Sequence, residues 1–391
     1  MNVNGIIIAH SKLETLNYFS DCIKDAAEKD GRLVYMIDTE KPETYLGNEL
    51  DLFTESNKCI AVFFNQIGLL LTDEFGNNYW DAHQIPVYSF QVDHPRNFTD
   101  AMINPIRMLR VLSIDKNHKK FVQRFFPKVP DCHFLPNGGT QEVCEIKPLR
   151  ERSIDVLYVG ECQIPVESFP LLEFFEDKGS DFYGCVISDL LSCPGQTTEE
   201  AIENYFLDRN IKISDEDLLK IFTSISIYVE TYIRREFKQV MLQALDKRGI
   251  KVDIYGGGWE NENYAYGGNI RFHSRITSSE CNEKIGDAKI TLNCIPWFKD
   301  GSSERPFNTM LNGSLCMIDK SDYLLERFTD ETDICFFDIQ KPEDLADKIE
   351  YYLSHLDEAQ ETANRGYAIA TENDTWENRL KTILAWEDKN H

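Results

Sequence analysis

The sequence predicts an α/β protein built from two Rossmann-like, doubly wound domains, the second interrupted by a helical insertion. Three observations lead there. Short apolar runs of strand length alternate with helical stretches in both halves of the chain, the pattern of parallel sheets covered by helices on both faces. A Pro-Asn-Gly-Gly turn at residues 136–139, followed by a charged, proline-containing stretch at 145–152, separates the two series. Residues 160–252 carry few strand signals and read as helices.

In order, the first series places strands at residues 5–9, 33–37, 59–65, 87–92, 114–115 and 132–135, with an amphipathic helix over 13–28. The second places strands at 153–160, 252–258, 270–273, 289–294, 313–318 and 334–338. Helices are expected over 169–175, 197–208 and 215–248 in the insertion, and over 342–356, 357–367 and 375–388 at the end. The expected domains are therefore 1–145, then 146–375 with its insertion at about 162–248, then a terminal helix, 376–391, returning to the first domain.

The 391 residues suffice for two or three cores, and 42% hydrophobic content is that of a globular protein. A formal charge of -25 argues against nucleic acid or an anionic membrane as the main partner. With no basic amphipathic docking helix expected, a protein or soluble glycan fits better than a lipid-linked molecule. No stretch approaches the roughly 18–20 apolar residues of a membrane span, and the first ten residues lack a signal-peptide pattern. Eleven cysteines form no C-x-x-C pair, and most sit in apolar runs, which points to a reduced, cytoplasmic protein. The scattered His and Cys lack metal-ligand spacing.

The segment Ile290-Thr-Leu-Asn-Cys-Ile-Pro-Trp-Phe-Lys-Asp300-Gly-Ser-Ser-Glu-Arg305-Pro-Phe-Asn308 reads as a buried strand, a polar loop and the start of a helix. Loops at the carboxyl edge of a parallel sheet hold anionic ligands. Arg305 has the planar fork that grips phosphate, although a surface pair with Glu304 is the plain alternative. Asp300 either faces a ligand or forms a turn, and Ser302 and Ser303 either meet phosphate or cap the helix. Gly160, Gly256 and Gly257 follow strands without dinucleotide-fingerprint spacing. Asp93 and His94 follow the fourth strand, where they serve either an acceptor or a simple Asp-His-Pro turn. His10 and the pair Asn65-Gln66 are rivals at neighbouring strand ends.

Several stretches together resemble a known family. Leu135-Pro-Asn-Gly138 is similar to the "iPNG" turn of GT-B glycosyltransferases, and residues 270–293 resemble their "v-x-f-x-G-x-v … e-l … y-x-x-a-d-i-x-l-n" run. Residues 304–314 resemble the "R-x-F-E-x-x-a-c-G" helix of the CgeB-like subgroup of the glycosyl transferases group 1 family. Thr375-Trp-Glu-Asn-Arg-Leu-Lys-Thr-Ile-Leu384 is similar to that subgroup's closing "ty-x-x-R-x-x-x-l-l" helix.

The resemblance implies transfer from a nucleotide-diphosphate sugar, a UDP sugar being the expected donor, with retention and without a metal ion or other cofactor. It implies that the carboxy-terminal domain binds the donor and the amino-terminal domain the acceptor. Arg305 would then stabilise the departing phosphate, Asp300 orient the donor sugar and Asn308 hold the ribose. Ser274, Arg275 and Ile276 would line the base, and His94 or Asp93 would position a protein or glycan acceptor. Asp300 and Asn308 stand where many retaining members carry glutamates. An Asn at 308 gives up a charge-assisted hydrogen bond and opens the alternative of a catalytically inactive nucleotide-sugar-binding scaffold or partner subunit. The insertion also leaves room for a homodimer.

Overall fold

The computed structural model describes residues 3–162, 177–259 and 264–389. The helix expected over 169–175 lies outside the described residues. Two compact units emerge: one from Met1–Thr140, Thr277–Ser279 and Ile369–His391, the other from Gln141–Ile276 and Glu280–Ala368.

The first unit runs β1 (Gly5–His10), α1 (Glu14–Lys29), β2 (Leu33–Asp38), α2 (Asn48–Ser56), β3 (Cys59–Phe64), α3 (Tyr79–Ala82), β4 (Val87–Gln91), α4 (Thr99–Ile103), β5 (Leu109–Ser113), α5 (Lys116–Phe125) and β6 (Cys132–Phe134). Its strands form one parallel sheet in the order β2-β1-β3-β4-β5-β6. Every residue of β3 and β4 is buried, which is why those runs are apolar without alternation. α1 covers the sheet through Leu16, Phe19, Ile23, Ala26 and Ala27.

One expected strand moves. β5 occupies Leu109–Ser113, not residues 114–115. Arg110 breaks the apolar run and hides it: its guanidinium folds back onto the Leu109 carbonyl at 3.0 Å while the rest of the strand is buried. Asp115 lies beyond the strand as the cap of α5, accepting from the Asn117 amide at 2.7 Å.

The last helix, Trp376–Lys389, belongs to this unit. Trp376 packs against Phe19, Phe64 and Phe90 with ring centroids 5.4–5.7 Å apart. The chain enters this helix across the Pro-Asn-Gly turn. The Gly139 amide donates to the Asp374 carbonyl at 2.7 Å, and a Cβ on Gly138 would lie 2.6 Å from the Trp376 nitrogen. Arg379, the arginine of the closing motif, donates to the carbonyls of Pro136 (2.7 Å) and Asn137 (3.2 Å) and pairs with the buried Asp374 at 2.9 Å. Two motifs far apart in sequence therefore meet in one buried hydrogen-bond network.

The second unit runs β7 (Ile154–Val159), α6 (Asp177–Ser192), α7 (Thr198–Asp208), α8 (Asp215–Lys247), β8 (Val252–Tyr255), β9 (Ile270–His273), α9 (Ser278–Gly286), β10 (Ala288–Asn293), α10 (Arg305–Leu311), β11 (Leu315–Asp319), α11 (Asp322–Arg327), β12 (Cys335–Phe337), α12 (Pro342–Ser354) and α13 (Leu356–Asn373), leaving Trp376–Lys389 as α14. Its parallel sheet has the order β12-β11-β10-β7-β8-β9. The helices α6, α7 and α8 form the insertion. A reciprocal Thr197–Glu200 capping box starts α7. Gln340 donates to the Leu191 and Ser192 carbonyls, satisfying the end of α6.

Removing one partner of a buried ion pair strands the other charge. Arg379→Ala should therefore cost about 3–5 kcal/mol of unfolding free energy, read as a fall in the urea midpoint. An unchanged midpoint would show that the motif arginine does not hold the terminal helix.

Candidate functional site

In the second unit the chain runs from β7 outward to β8 and β9, then returns beside β7 as β10. The loops after β7 and β10 thus diverge at the carboxyl edge of the sheet, the point where doubly wound sheets hold ligands. Two cations converge on the residues that leave β7. Arg305, the first residue of α10, donates from Nη1 to the Val159 carbonyl at 3.1 Å. Lys238, on α8, donates from Nζ to the Glu161 carbonyl at 2.8 Å. Lys238 also lies 5.9 Å from the ring of Trp297, which Arg234 stacks upon at 4.2 Å.

Lys238 is only 6% exposed. Burial lowers its pKa to about 8, and the neighbouring Arg305 and Arg234 push in the same direction. Among the described residues, neither Lys238 nor Arg305 has a carboxylate within ion-pair distance; both side chains hydrogen-bond to backbone carbonyls. Lys238 is buried and Arg305 half-buried, and positive charge so held is costly unless an anion partners it.

The loop after β10 is tied down at both ends from the edge of β11. Asp319 accepts from the Ile295 amide at 2.6 Å, Ser321 donates to the Gly301 carbonyl at 2.9 Å, and the Asp322 amide donates to the Lys299 carbonyl at 2.8 Å. Asp300 sits half-buried within this tethered loop. Ser302 is fully buried and donates to the Ser303 carbonyl, while Ser303 accepts from the Arg305 amide at 3.3 Å. Both hydroxyls serve the loop itself. Glu304 is half-buried at the helix start, and Asn308 is buried one turn later, its carbonyl accepting from Asn312.

Gly160, Gly256 and Gly257, which the resemblance places near the donor nucleotide, lie where the loops after β7 and β8 meet. The Gly160 amide donates to the Tyr255 carbonyl and the Cys162 amide to the Gly257 carbonyl, both at 2.9 Å, so the loops after β7 and β8 zip together. A Cβ on Gly256 would lie 2.2 Å from the Gly160 carbonyl oxygen. The missing side chain at Gly256 lets the two loops touch. Trp259 donates to the Gly160 carbonyl from beyond, at 2.9 Å. Past β9, Ser274 and Arg275 are exposed and Ile276 half-buried; Arg275 pairs with Glu161 at 3.3 Å.

In the first unit the switch point lies between β1 and β3. His10 ends β1 and bonds Asp21 at 2.9 Å. Asn65, directly after β3, adopts φ 54°, and its side chain reaches the next strand end: Oδ1 accepts from the Val92 amide and Nδ2 donates to Asp93, both at 3.1 Å. Asn65 and Asp93 are thus brought together. Gln66 turns instead to the Phe98 carbonyl at 3.0 Å. His94 caps the short turn after Pro95, its Nδ1 accepting from the Arg96 amide at 3.1 Å, and its ring packs on His118 and Phe121 of α5 at 4.4 and 4.8 Å.

Sequence reasoning missed Lys238, Arg234, Trp297 and Asp319. Lys238 had a signal. It falls on the apolar stripe of α8 between Phe237, Met241 and Leu242, where a lysine is out of place unless paired or functional. A cavity of about 420 Å³ opens elsewhere, between Asp181, Cys185, Asp189, Tyr205, Asp208 and Arg209 of the insertion. Arg209 is already paired with Asp181 there, and the acidic lining suits no phosphate. Among the described residues no cluster of His, Cys, Asp and Glu is placed to hold a metal ion, and no helix is long and apolar enough to cross a membrane.

Residues 234–385 match the family model described as glycosyl transferase-like. No curated protein matches the chain. Among solved structures, an α-glucosyltransferase in complex with UDP-glucose and DNA containing an abasic site is similar at 14% identity, covering 97% of this chain and 99% of that one with a TM-score of 0.55. Sucrose-phosphate synthase from Thermosynechococcus elongatus is similar at 11% identity, 98% of each chain and a TM-score of 0.54. The T4 phage BGT in complex with UDP-glucose is similar at 12% identity, 97% and 99% coverage and a TM-score of 0.52. At these identities the likeness is one of fold: two parallel six-stranded sheets with flanking helices, the GT-B arrangement.

Burial pushes the Asp319 carboxyl up to about 7, against an ordinary 3.8. The folded chain therefore binds more protons than the unfolded chain between those values, and this contribution to stability is lost as pH rises through the window. Asp319→Asn, neutral throughout, should gain melting temperature relative to the wild type as pH rises from about 4 to about 7, and no further above that. A difference that does not change with pH would remove Asp319 as the source.

Proposed function

We propose that this GT-B chain is a glycosyltransferase that moves a sugar from a nucleotide-diphosphate sugar, with a UDP sugar as donor, to a protein or glycan acceptor. The observation that carries the reading is the pair of cations, Lys238 and Arg305, gathered at the carboxyl edge of β7 with no carboxylate partner among the described residues. A diphosphate supplies two anionic groups to such a pair, and in a poorly solvated site the attraction exceeds that in water. The same groups stabilise the charge that develops on the leaving diphosphate, and preorganised stabilisation of this kind supplies much of the rate enhancement in many transfer reactions.

In this reading Asp300, on a loop fixed at both ends, orients the donor sugar, and Asn308 and the 274–276 segment meet the nucleoside. Asn65 and Asp93, joined at the carboxyl edge of the first sheet, hold the acceptor, with His94 beside them. The catalytic assignment thus leans more on Asp93 than on His94, whose Nδ1 is committed to a cap. Retention of configuration and independence from metal ions remain part of the proposal on the strength of the motif resemblance.

The purified chain incubated with a panel of nucleotide sugars should release free nucleoside diphosphate slowly from one donor and faster with the right acceptor. Tight binding without any turnover would favour the scaffold reading that Asn308 raises. Arg305→Ala should weaken nucleoside diphosphate binding by roughly tenfold to a hundredfold, the worth of a charged hydrogen bond, and leave the bare nucleoside unaffected in calorimetry. Equal loss for both ligands would sink the phosphate role.

Lys238 gives a pH signature. Its ammonium is the form that holds an anion, and in the ligand-free chain it loses its proton near 8. Diphosphate affinity should therefore fall as pH rises between about 7 and 9, and Lys238→Met should bind more weakly with that extra fall abolished. An unaltered pH profile in the variant would place the titrating group elsewhere.

A further inference from the structure

The charge of -25 conceals one strongly basic element. Between residues 116 and 128 stand Lys116, Lys119, Lys120, Arg124 and Lys128, with no acidic residue; the five positive charges leave -30 on the rest of the chain. Four of them lie on α5, at the i, i+3 and i+4 spacings that place them on one side. The opposite side carries His118, Phe121 and Val122, all buried in the first unit. Lys120, Arg124 and Lys128 are exposed and Lys119 half-buried. Among the described residues, Lys119, Lys120 and Lys128 have no carboxylate at ion-pair distance, and Lys120 bonds only Asn117, at 3.0 Å. The sequence led to no expectation of a basic docking helix, and α5 corrects that. A ten-residue helix with few strong apolar positions is easily hidden inside an acidic total.

We infer that the outer face of α5 is a docking surface for an anionic lipid membrane. Both charge complementarity and the shape of the charge distribution favour this partner. A cationic helix face on a chain whose other residues are strongly acidic in sum is attracted to a flat anionic surface through that face. A polyanion long enough to wrap the molecule meets the acidic remainder instead. Because the apolar side of α5 is consumed by the core, nothing is left to insert among acyl chains, and the contact is peripheral, electrostatic and salt-sensitive. The buried side of the same helix packs on His94, so a docked surface sits on the outer side of the element that supports the proposed acceptor edge. The inference goes beyond the proposed transfer reaction and does not depend on it.

Flotation of the full chain with vesicles of phosphatidylcholine, with and without phosphatidylglycerol, tests this. The chain should float only with the phosphatidylglycerol vesicles and dissociate as salt is raised. The triple variant Lys119→Glu, Lys120→Glu, Lys128→Glu should reduce the partition coefficient roughly a hundredfold or more, since each basic residue near an anionic surface contributes roughly a fivefold factor. A triple Lys→Gln variant checks that the loss follows charge, and Lys220→Glu, exposed on α8 beside Glu216, should bind as the wild type does. Nucleoside diphosphate affinity should be the same in all of these variants, so the outcome is separate from that of the donor-site test. Equal binding to both vesicle types, no binding to either, or retention of a duplex DNA probe in place of vesicles would overturn the inference.

Discussion

Positive charge held away from solvent, with no carboxylate partner among the described residues, is the interaction on which the proposed site depends. A chain of this composition has acidic side chains to spare, yet Lys238 and Arg305 hydrogen-bond to the carbonyls of Glu161 and Val159. Those bonds fix both heads where β7 ends and orient them, but a neutral carbonyl does not cancel a full charge. Burial then depresses the Lys238 ammonium toward neutrality, the expected response of a cation awaiting an anion. The surrounding structure is arranged to keep this site rigid. Trp297, on the loop after β10, packs against Arg234 of α8, and hydrogen bonds from the end of β11 and the residues after it anchor that loop.

The two sheets are parallel and six-stranded, but they are not copies of one plan. The order β12-β11-β10-β7-β8-β9 puts three strands on each side of its switch point, whereas β2-β1-β3-β4-β5-β6 places the switch nearer one edge. The first strand ends to converge in the first unit are therefore those of His10 and Asn65, with Asp93 drawn in by the Asn65 side chain. Motifs that resembled functional signatures divide along similar lines. The Pro-Asn-Gly turn and Arg379 are structural: the glycine yields room for the Trp376 backbone, and the arginine neutralises a buried aspartate while closing the turn. Gly256 and Gly258 after β8 also yield room, since a Cβ on either would meet a carbonyl oxygen of the neighbouring loop.

Much of this was legible. Buried parallel strands announce themselves as apolar runs of the right length, so eleven of the twelve strands among the described residues were placed by their runs, and only β5, split by Arg110, was displaced. The loop before Arg305 was legible as a loop because a polar Gly/Ser stretch there separates the apolar run of a strand from that of a helix. Lys238 was harder, since a long helix in an insertion gives no hint of which strand end it faces. Asp319 was hidden at the end of an apolar run, where nothing in the sequence says that its carboxylate bonds the Ile295 amide. The basic face of α5 was masked by averaging its charge into the whole.

By itself the sequence determined the fold class, the order of the strands along the chain and the loop that carries Asp300 and Arg305. Those are local properties: the period of apolar residues and the turn chemistry of glycine, proline and asparagine act over a few neighbours. Only the tertiary structure decided which strands lie side by side, and therefore which loops share an edge. That choice brought Lys238 to the Glu161 carbonyl across 77 residues and Arg305 to the Val159 carbonyl across 146. Long-range pairing is set by how whole elements bury their faces together, a balance that no short stretch of sequence contains.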